Sequence, residues 1–204
     1  VTPTPLNAAA VAKLLRRNEA LLRVLPGAKE TWVFLVKADG VLRGAAVKLP
    51  ARQLTAEVER LRAGVNTASG RLPHFDLALA HDLYQQLLEP LESALTGVEH
   101  LIVIPGGALL SLPPALLVRQ APENADDYRR AAWLVRDMAL SVLPSVVALQ
   151  QFRQVAGASQ AHLPFIGFGD PVFSSEQTGT LRGGNSGGVD RVIRDCRLNA
   201  KALN

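Results

Sequence analysis

Apolar residues recur at helical spacing along the first 25 positions of the chain. Val11, Leu14, Leu15, Leu21 and Leu22 fall on one face, Asn7 stands where a cap is needed, and Pro26-Gly27 supplies a stop. This predicts an amphipathic helix over residues 6–25, with Asn18 as a polar gap in its face. The run Thr31-Trp32-Val33-Phe34-Leu35-Val36 then reads as a strand, Ala38-Asp39-Gly40 as a turn, and Val41 to Leu49 as the return strand of a hairpin. Residues 51–64 return to helical spacing, with Leu54, Val58 and Leu61 on one face. After a polar loop from Asn66 to Pro73, a helix from Asp76 to Leu88 presents Leu79, Leu83, Leu87 and Leu88; Pro90 breaks or restarts it, and Thr96-Gly97 ends it.

The pattern changes at His100-Leu101-Ile102-Val103-Ile104-Pro105, an unbroken apolar run that fits a strand buried on both faces. Gly106-Gly107 turns the chain, Ala115 to Val118 starts a short helix, and Ala121 to Arg130 is a polar excursion. Trp133 to Val142 fits a strand pair or a helix, and the run into Pro144 favours strand. Ser145 is placed to cap a helix through Val155, and Leu163 to Phe168 is a second candidate buried strand. Ser174 to Gly188 is a Gly/Ser/Thr-rich loop, and Val189 to Leu203 is weakly helical. Helices alternating with buried strands predict an α/β layer fold around a largely parallel sheet.

Composition sharpens this picture. With 48% hydrophobic, 20% charged and 5% aromatic residues, the chain can bury a core filled mainly by aliphatic side chains. Net charge is +4, but no basic run exceeds Arg16-Arg17 or Arg129-Arg130 and few aromatics lie among the cations, so there is no strong nucleic-acid signal. The single cysteine, Cys196, excludes an intramolecular disulfide and a cysteine-based zinc cluster, and favours a reducing compartment. No apolar run is long enough to span a membrane, and Val1-Thr2-Pro3-Thr4-Pro5 is no signal peptide. The expectation is a soluble, cytoplasmic protein, cut from a longer polypeptide because it lacks an initiator Met.

Three stretches point to a family. Leu83-Tyr84-Gln85-Gln86-Leu87-Leu88-Glu89-Pro90-Leu91 leads into Leu101-Ile102-Val103-Ile104-Pro105-Gly106-Gly107-Ala108-Leu109-Leu110-Ser111-Leu112-Pro113; Leu140-Ser141-Val142-Leu143-Pro144-Ser145 follows; Ile166-Gly167-Phe168-Gly169-Asp170-Pro171 comes last. In order and spacing these resemble the amino-terminal half of a CHAT domain, a caspase-like and separase-like cysteine peptidase module usually fused to TPR repeats. The resemblance extends from about Trp32 to Phe173, and the hairpin at Trp32 to Leu49 is similar to the strand pair that often precedes that core. It departs where the family's loop has Asp after Pro, because Gly106 stands here. The family's catalytic His lies in a His-Gly pair and its Cys in a Ser-Ala-Cys-x-Thr run; none of His74, His81, His100 or His162 precedes Gly, and Cys196 sits in Arg194-Asp195-Cys196-Arg197-Leu198.

Other residues have functional and plain structural readings. Pro105-Gly106-Gly107 offers amide donors to a carbonyl or phosphate, but it lacks the Lys-Ser/Thr of a phosphate-binding loop, and a strand-exit turn is the simpler reading. Gly167-Phe168-Gly169-Asp170-Pro171 lacks the third Gly of a dinucleotide turn, and Asp170 reads as a turn former. Arg194 and Arg197 flank Cys196, yet a lone thiol without a paired His reads as incidental. The four His residues show no metal spacing, and Glu57 to Arg60 and Asp126 to Arg130 read as solvated faces. Ser145 has no nucleophile elbow around it and reads as a cap.

The resemblance implies a partial caspase-like three-layer sandwich with a mostly parallel central sheet, preceded by a helix and a hairpin. Residues 1–65 hold the preceding elements, 66–173 the amino-terminal half of the core, and 174–204 the Gly/Ser-rich loop and tail. The implied chemistry is cysteine endopeptidase chemistry on a protein substrate, regulated by TPR repeats. Truncation at Asn204 leaves this segment as scaffold, itself inactive, with no catalytic residue, cofactor or metal of its own. The expected partners are the TPR region and the missing carboxy-terminal half, with self-association through an exposed sheet edge. A non-catalytic protein-interaction module on the same fold is the alternative. A Ser-His-Asp hydrolase would require Ser145 beside a His and a carboxylate.

Overall fold

In a computed structural model of the chain, the described residues are 6–66, 70 and 73–155. The expected strand at Leu163 to Phe168 with its Gly-Asp-Pro end, the loop from Ser174, the tail, His162 and Cys196 lie outside them. A short helix α1 (Ala8–Ala12) is followed by strands β1 (Glu19–Pro26), β2 (Thr31–Lys37) and β3 (Leu42–Val47), then by helices α2 (Ala51–Ala63), α3 (Leu77–Leu87) and α4 (Glu92–Leu95). Strand β4 (His100–Ile104), strand β5 (Ala139–Val142) and helix α5 (Val146–Val155) complete the order. The five strands form one mixed sheet in the order β3-β2-β1-β4-β5. β1 runs antiparallel to β2 and β2 to β3, whereas β1–β4 and β4–β5 are parallel.

Alternation along the strands divides the interior into two cores. Ala20, Leu22 and Val24 of β1, Val33 and Leu35 of β2, and Leu101 and Val103 of β4 face one side, where they pack on Leu54, Val58 and Leu61 of α2 and on Leu79, Leu83 and Leu87 of α3. Leu21, Val36, Ile102 and Ile104 face the other, against Val11 of α1 and Leu149 of α5. Helices on both faces make the three-layer α/β arrangement expected of a partial caspase-like fold. Full burial of each such side chain is worth ~1.5–3 kcal/mol.

Local chemistry sets the element ends. The Asp39 carboxylate accepts the Val41 amide at 3.0 Å, and Gly40 takes φ +85°, which together close the β2–β3 turn. Asp76 caps α3 by accepting the Leu79 amide at 2.9 Å. Tyr128 reaches back from the polar excursion to bond the backbone of Phe75, and Trp133 Nε1 donates to the Tyr128 carbonyl, so that excursion is tied to the core.

The helix expected over residues 6–25 is corrected. It stops at Ala12, and a central strand begins at Glu19. A strand buried on both faces needs apolar residues at consecutive positions, and a window of that kind satisfies helical spacing equally well. The polar gap at Asn18 is the true boundary: its carbonyl accepts the Glu99 and His100 amides, and its side chain donates to Glu99, which sets the β1–β4 register. From Trp133 to Val142 the strand reading is right only at the far end, where Ala139–Val142 forms β5; Trp133 makes an isolated bridge to Val118, and a 3₁₀ turn at Leu134–Arg136 follows it.

Candidate functional site

In a sheet of parallel strands, ligands bind beyond the carboxyl ends. Here that end of β4 is the Pro105-Gly106-Gly107 turn. A Cβ on Gly106 would lie 2.5 Å from the Val24 carbonyl oxygen and 2.7 Å from Pro26 Cδ, so Gly is required there for close approach to β1. Gly107 takes φ +56° and opens a 3₁₀ turn that buries Leu109, with Leu112 buried just beyond it. Beneath this segment is an apolar void of about 30 Å³, lined by Leu22, Val24, Leu101, Val103, Leu109 and Leu134 among others. No lining side chain can transfer a proton, attack a carbonyl or ligate a metal. The strand-exit reading of this loop is correct.

The polar chemistry lies at the opposite end. Glu19, the first residue of β1, is 2% exposed, and at that burial a carboxylate needs partners. One of its oxygens accepts the Arg16 amide at 2.8 Å and the Arg153 guanidinium of α5; the other lies 3.4 Å from His100 Nδ1. His100 Nε2 in turn hydrogen-bonds Ser141 Oγ at 2.8 Å. Burial works against ionisation of Glu19 and is the largest single influence, but the Arg16 amide, Arg153 and His100 together outweigh it and hold the carboxyl below its ordinary range. Arg153 also donates to the Leu14 carbonyl, so the cluster ties α5, β1, β4, β5 and the α1–β1 connection together.

A carboxylate–imidazole–hydroxyl chain has the order of a charge relay. Its placement gives it a different task. It sits at the amino ends of β1 and β4, and the carboxylate is shared with a guanidinium that fixes a helix. We read it as a clasp. Sequence reasoning missed Glu19 because it placed that residue inside a helix. Ser145, which the hydrolase reading required beside a His, instead accepts the Ala148 amide at 3.1 Å and caps α5. Of the remaining histidines, His81 Nδ1 lies 3.0 Å from the Val118 carbonyl and His74 pairs with Asp126. Among the described residues no group of three or more His, Cys, Asp or Glu could hold a metal.

A second network surrounds Arg119, which binds Glu92, Asp137 and the Tyr84 hydroxyl. The Arg119 bond holds Glu92 below the usual carboxylate range, the Glu92, Tyr84 and Asp137 bonds raise Arg119 further, and burial raises Tyr84. It joins α3, α4 and the segment before β5.

The model of the CHAT domain family matches residues 77–198. The chain belongs to the CHAT domain family. The matched span opens on the first residue of α3 and runs through β4, β5 and α5, the elements that carry the parallel half of the sheet. It starts later than the Trp32 of the sequence reading and extends beyond Phe173. No curated protein matches the chain at a significant level. As a CHAT domain the chain is related to caspase-like peptidases. Among its described residues no helix is long and apolar enough to cross a membrane.

Proposed function

We propose that this CHAT chain is the scaffold part of a caspase-like cysteine endopeptidase, and that the attacking thiolate and its imidazole partner come from other polypeptide of the same module. One observation carries this reading: the carboxyl end of β4, where the fold places chemistry, holds only Pro, Gly, Ala and Leu up to Ser111, whose hydroxyl donates to the Ala108 carbonyl, and no His-Gly or Ala-Cys pair occurs in the 204 residues. β1, β4 and β5 then set the height and spacing of the sheet on which further strands align. The TPR region is proposed as the regulatory partner, a protein as the substrate and the cytoplasm as the compartment. A non-catalytic interaction module is the second reading, favoured by the exposure of Trp32, Leu25 and Leu42.

The test has two arms. Residues 1–204 alone, incubated with a broad set of fluorogenic peptides, are expected to give no hydrolysis above buffer; turnover, whether or not it survives Cys196→Ala, would overturn the scaffold reading. The coding sequence beyond residue 204 is expected to encode one buried strand ending in His-Gly and another ending in Ala-Cys. Expressed with them, the module should cleave peptides and lose all activity on Cys→Ala substitution. A continuation lacking both residues would establish the interaction module instead.

A further inference from the structure

The sheet face that holds the second core is only partly covered. Among the described residues this face is covered by α1, five residues long, and by α5 through Leu149, while Leu25, Trp32 and Leu42 of β1, β2 and β3 stay exposed. Strand register places three rungs there: Leu25 beside Trp32 beside Ala46, Arg23 beside Phe34 beside Gly44, and the buried pair Leu21–Val36 beside Leu42. Leu25, Trp32 and Leu42 are 40%, 44% and 47% exposed, values that mark them as surface although all three are large apolar side chains on one face. Trp32 and Phe34 lie nearly parallel with centroids 6.2 Å apart, and a Cβ on Gly44 would come within 2.9 Å of the Phe34 ring, so that ring lies low across β3. The result is a largely apolar platform with Arg23 in its middle rung.

Charge indicates what fits on it. Residues 1–65 carry 11 basic and 5 acidic side chains, a net +6, whereas residues 66–155 carry 6 basic and 9 acidic, a net −3. Arg23 stands within the platform, and exposed Lys29 and Lys48 stand in the segments that adjoin its Leu25–Trp32–Ala46 end. None of these three cations has an ion-pair partner among the described residues. A second copy of this face would bring like charges together. Single-stranded nucleic acid would find only two rings to stack on, because Leu25, Leu42 and Ala46 offer no π face.

We infer that the β1–β2–β3 platform docks an amphipathic helix from a partner protein, with an aliphatic stripe on Trp32, Phe34, Leu25 and Leu42 and acidic residues along its margin facing Arg23, Lys29 and Lys48. A helix laid on a sheet is the usual way to cover such a face, and the acidic margin supplies the charges these cations lack. The platform is independent of any peptidase activity.

The probe is an 18-residue peptide with Leu at i, i+3, i+4 and i+7 positions and Glu elsewhere, labelled for anisotropy and titrated with the full 204-residue chain. Its counterparts are the same peptide with Lys for Glu, a scrambled peptide and an 18-nucleotide oligo(dT). The acidic peptide is expected to bind, to weaken as salt rises, and to shift tryptophan emission to the blue. Trp32→Ser with Leu42→Ser should weaken it at least tenfold. Lys29→Glu with Lys48→Glu, at exposed positions, should weaken it and confer binding of the Lys peptide. No binding, equal binding of the acidic and scrambled peptides, indifference to both double variants, or preference for oligo(dT) would each overturn the inference.

Discussion

Glu19 shows how one buried carboxylate can hold several elements together. Its ionised form is favoured in the native state despite burial, because an amide, a guanidinium and an imidazole converge on it. A carboxyl whose native pKa is depressed contributes stability that is full above its ordinary value of 4.5 and is lost as pH falls through the native value. Glu19→Gln should therefore lower unfolding free energy at pH 7 by about 1–3 kcal/mol, and the gap between variant and wild type should close at acid pH. Urea titrations at several pH values check both, and a gap that widens in acid would contradict the clasp. Arg153→Met with Glu19→Gln should cost less than the two single changes added, since each removes the same contact. Sequence alone did not show this cluster, because Glu19, His100, Ser141 and Arg153 are brought together by strand register and by the packing of α5, neither of which leaves a local pattern.

At the scale of elements, α5 is held by few contacts. Leu149 is its one buried residue, while Phe152 and Val155 are about two-thirds exposed at 60% and 62%. Leu149→Ala should cost ~2–4 kcal/mol, and Phe152→Ala less than about 0.5. Hydrogen exchange should show the α5 amides opening first in Leu149→Ala, and equal effects of the two changes would mean that α5 packs differently. The turn after β4 is the opposite case. Gly106→Ala should cost about 1–3 kcal/mol, because backbone on one side and a proline ring on the other leave its Cβ no space. The hairpin, α2, α3, β4 and the Ser145 cap were all legible in the sequence, each marked by period, cap or turn residue within its own span. β1 was not legible as a strand. Its neighbours β2 and β4 make consecutive apolar residues necessary, and that necessity is visible only once the sheet order is known.

At the scale of the whole molecule, the described residues leave β3 and β5 as the end strands of the sheet, and β5 is the edge that invites pairing. β5 lies at the end of the sheet, and among the described residues nothing pairs with its outer side. Ala139 and Leu143 donate their amides to the Glu99 and Val103 carbonyls, so the amides of Leu140 and Val142 between them point outward. A row of outward amides on an apolar strand is a template for another strand. Val142 is half exposed, so charge can be placed there without opening the core. The chain is expected to self-associate as concentration rises, and Val142→Lys should shift sedimentation toward monomer while circular dichroism and thermal midpoint stay near wild type. The inward amides that make the β4 ladder are untouched by this change, which separates edge pairing from unfolding as the cause. A wild-type chain that remains monomeric at hundreds of micromolar would show that the edge is already covered. Association unaffected by Val142→Lys would place the contact elsewhere, with the outer edge of β3, the other end strand among the described residues, as the next to test by the same measurement.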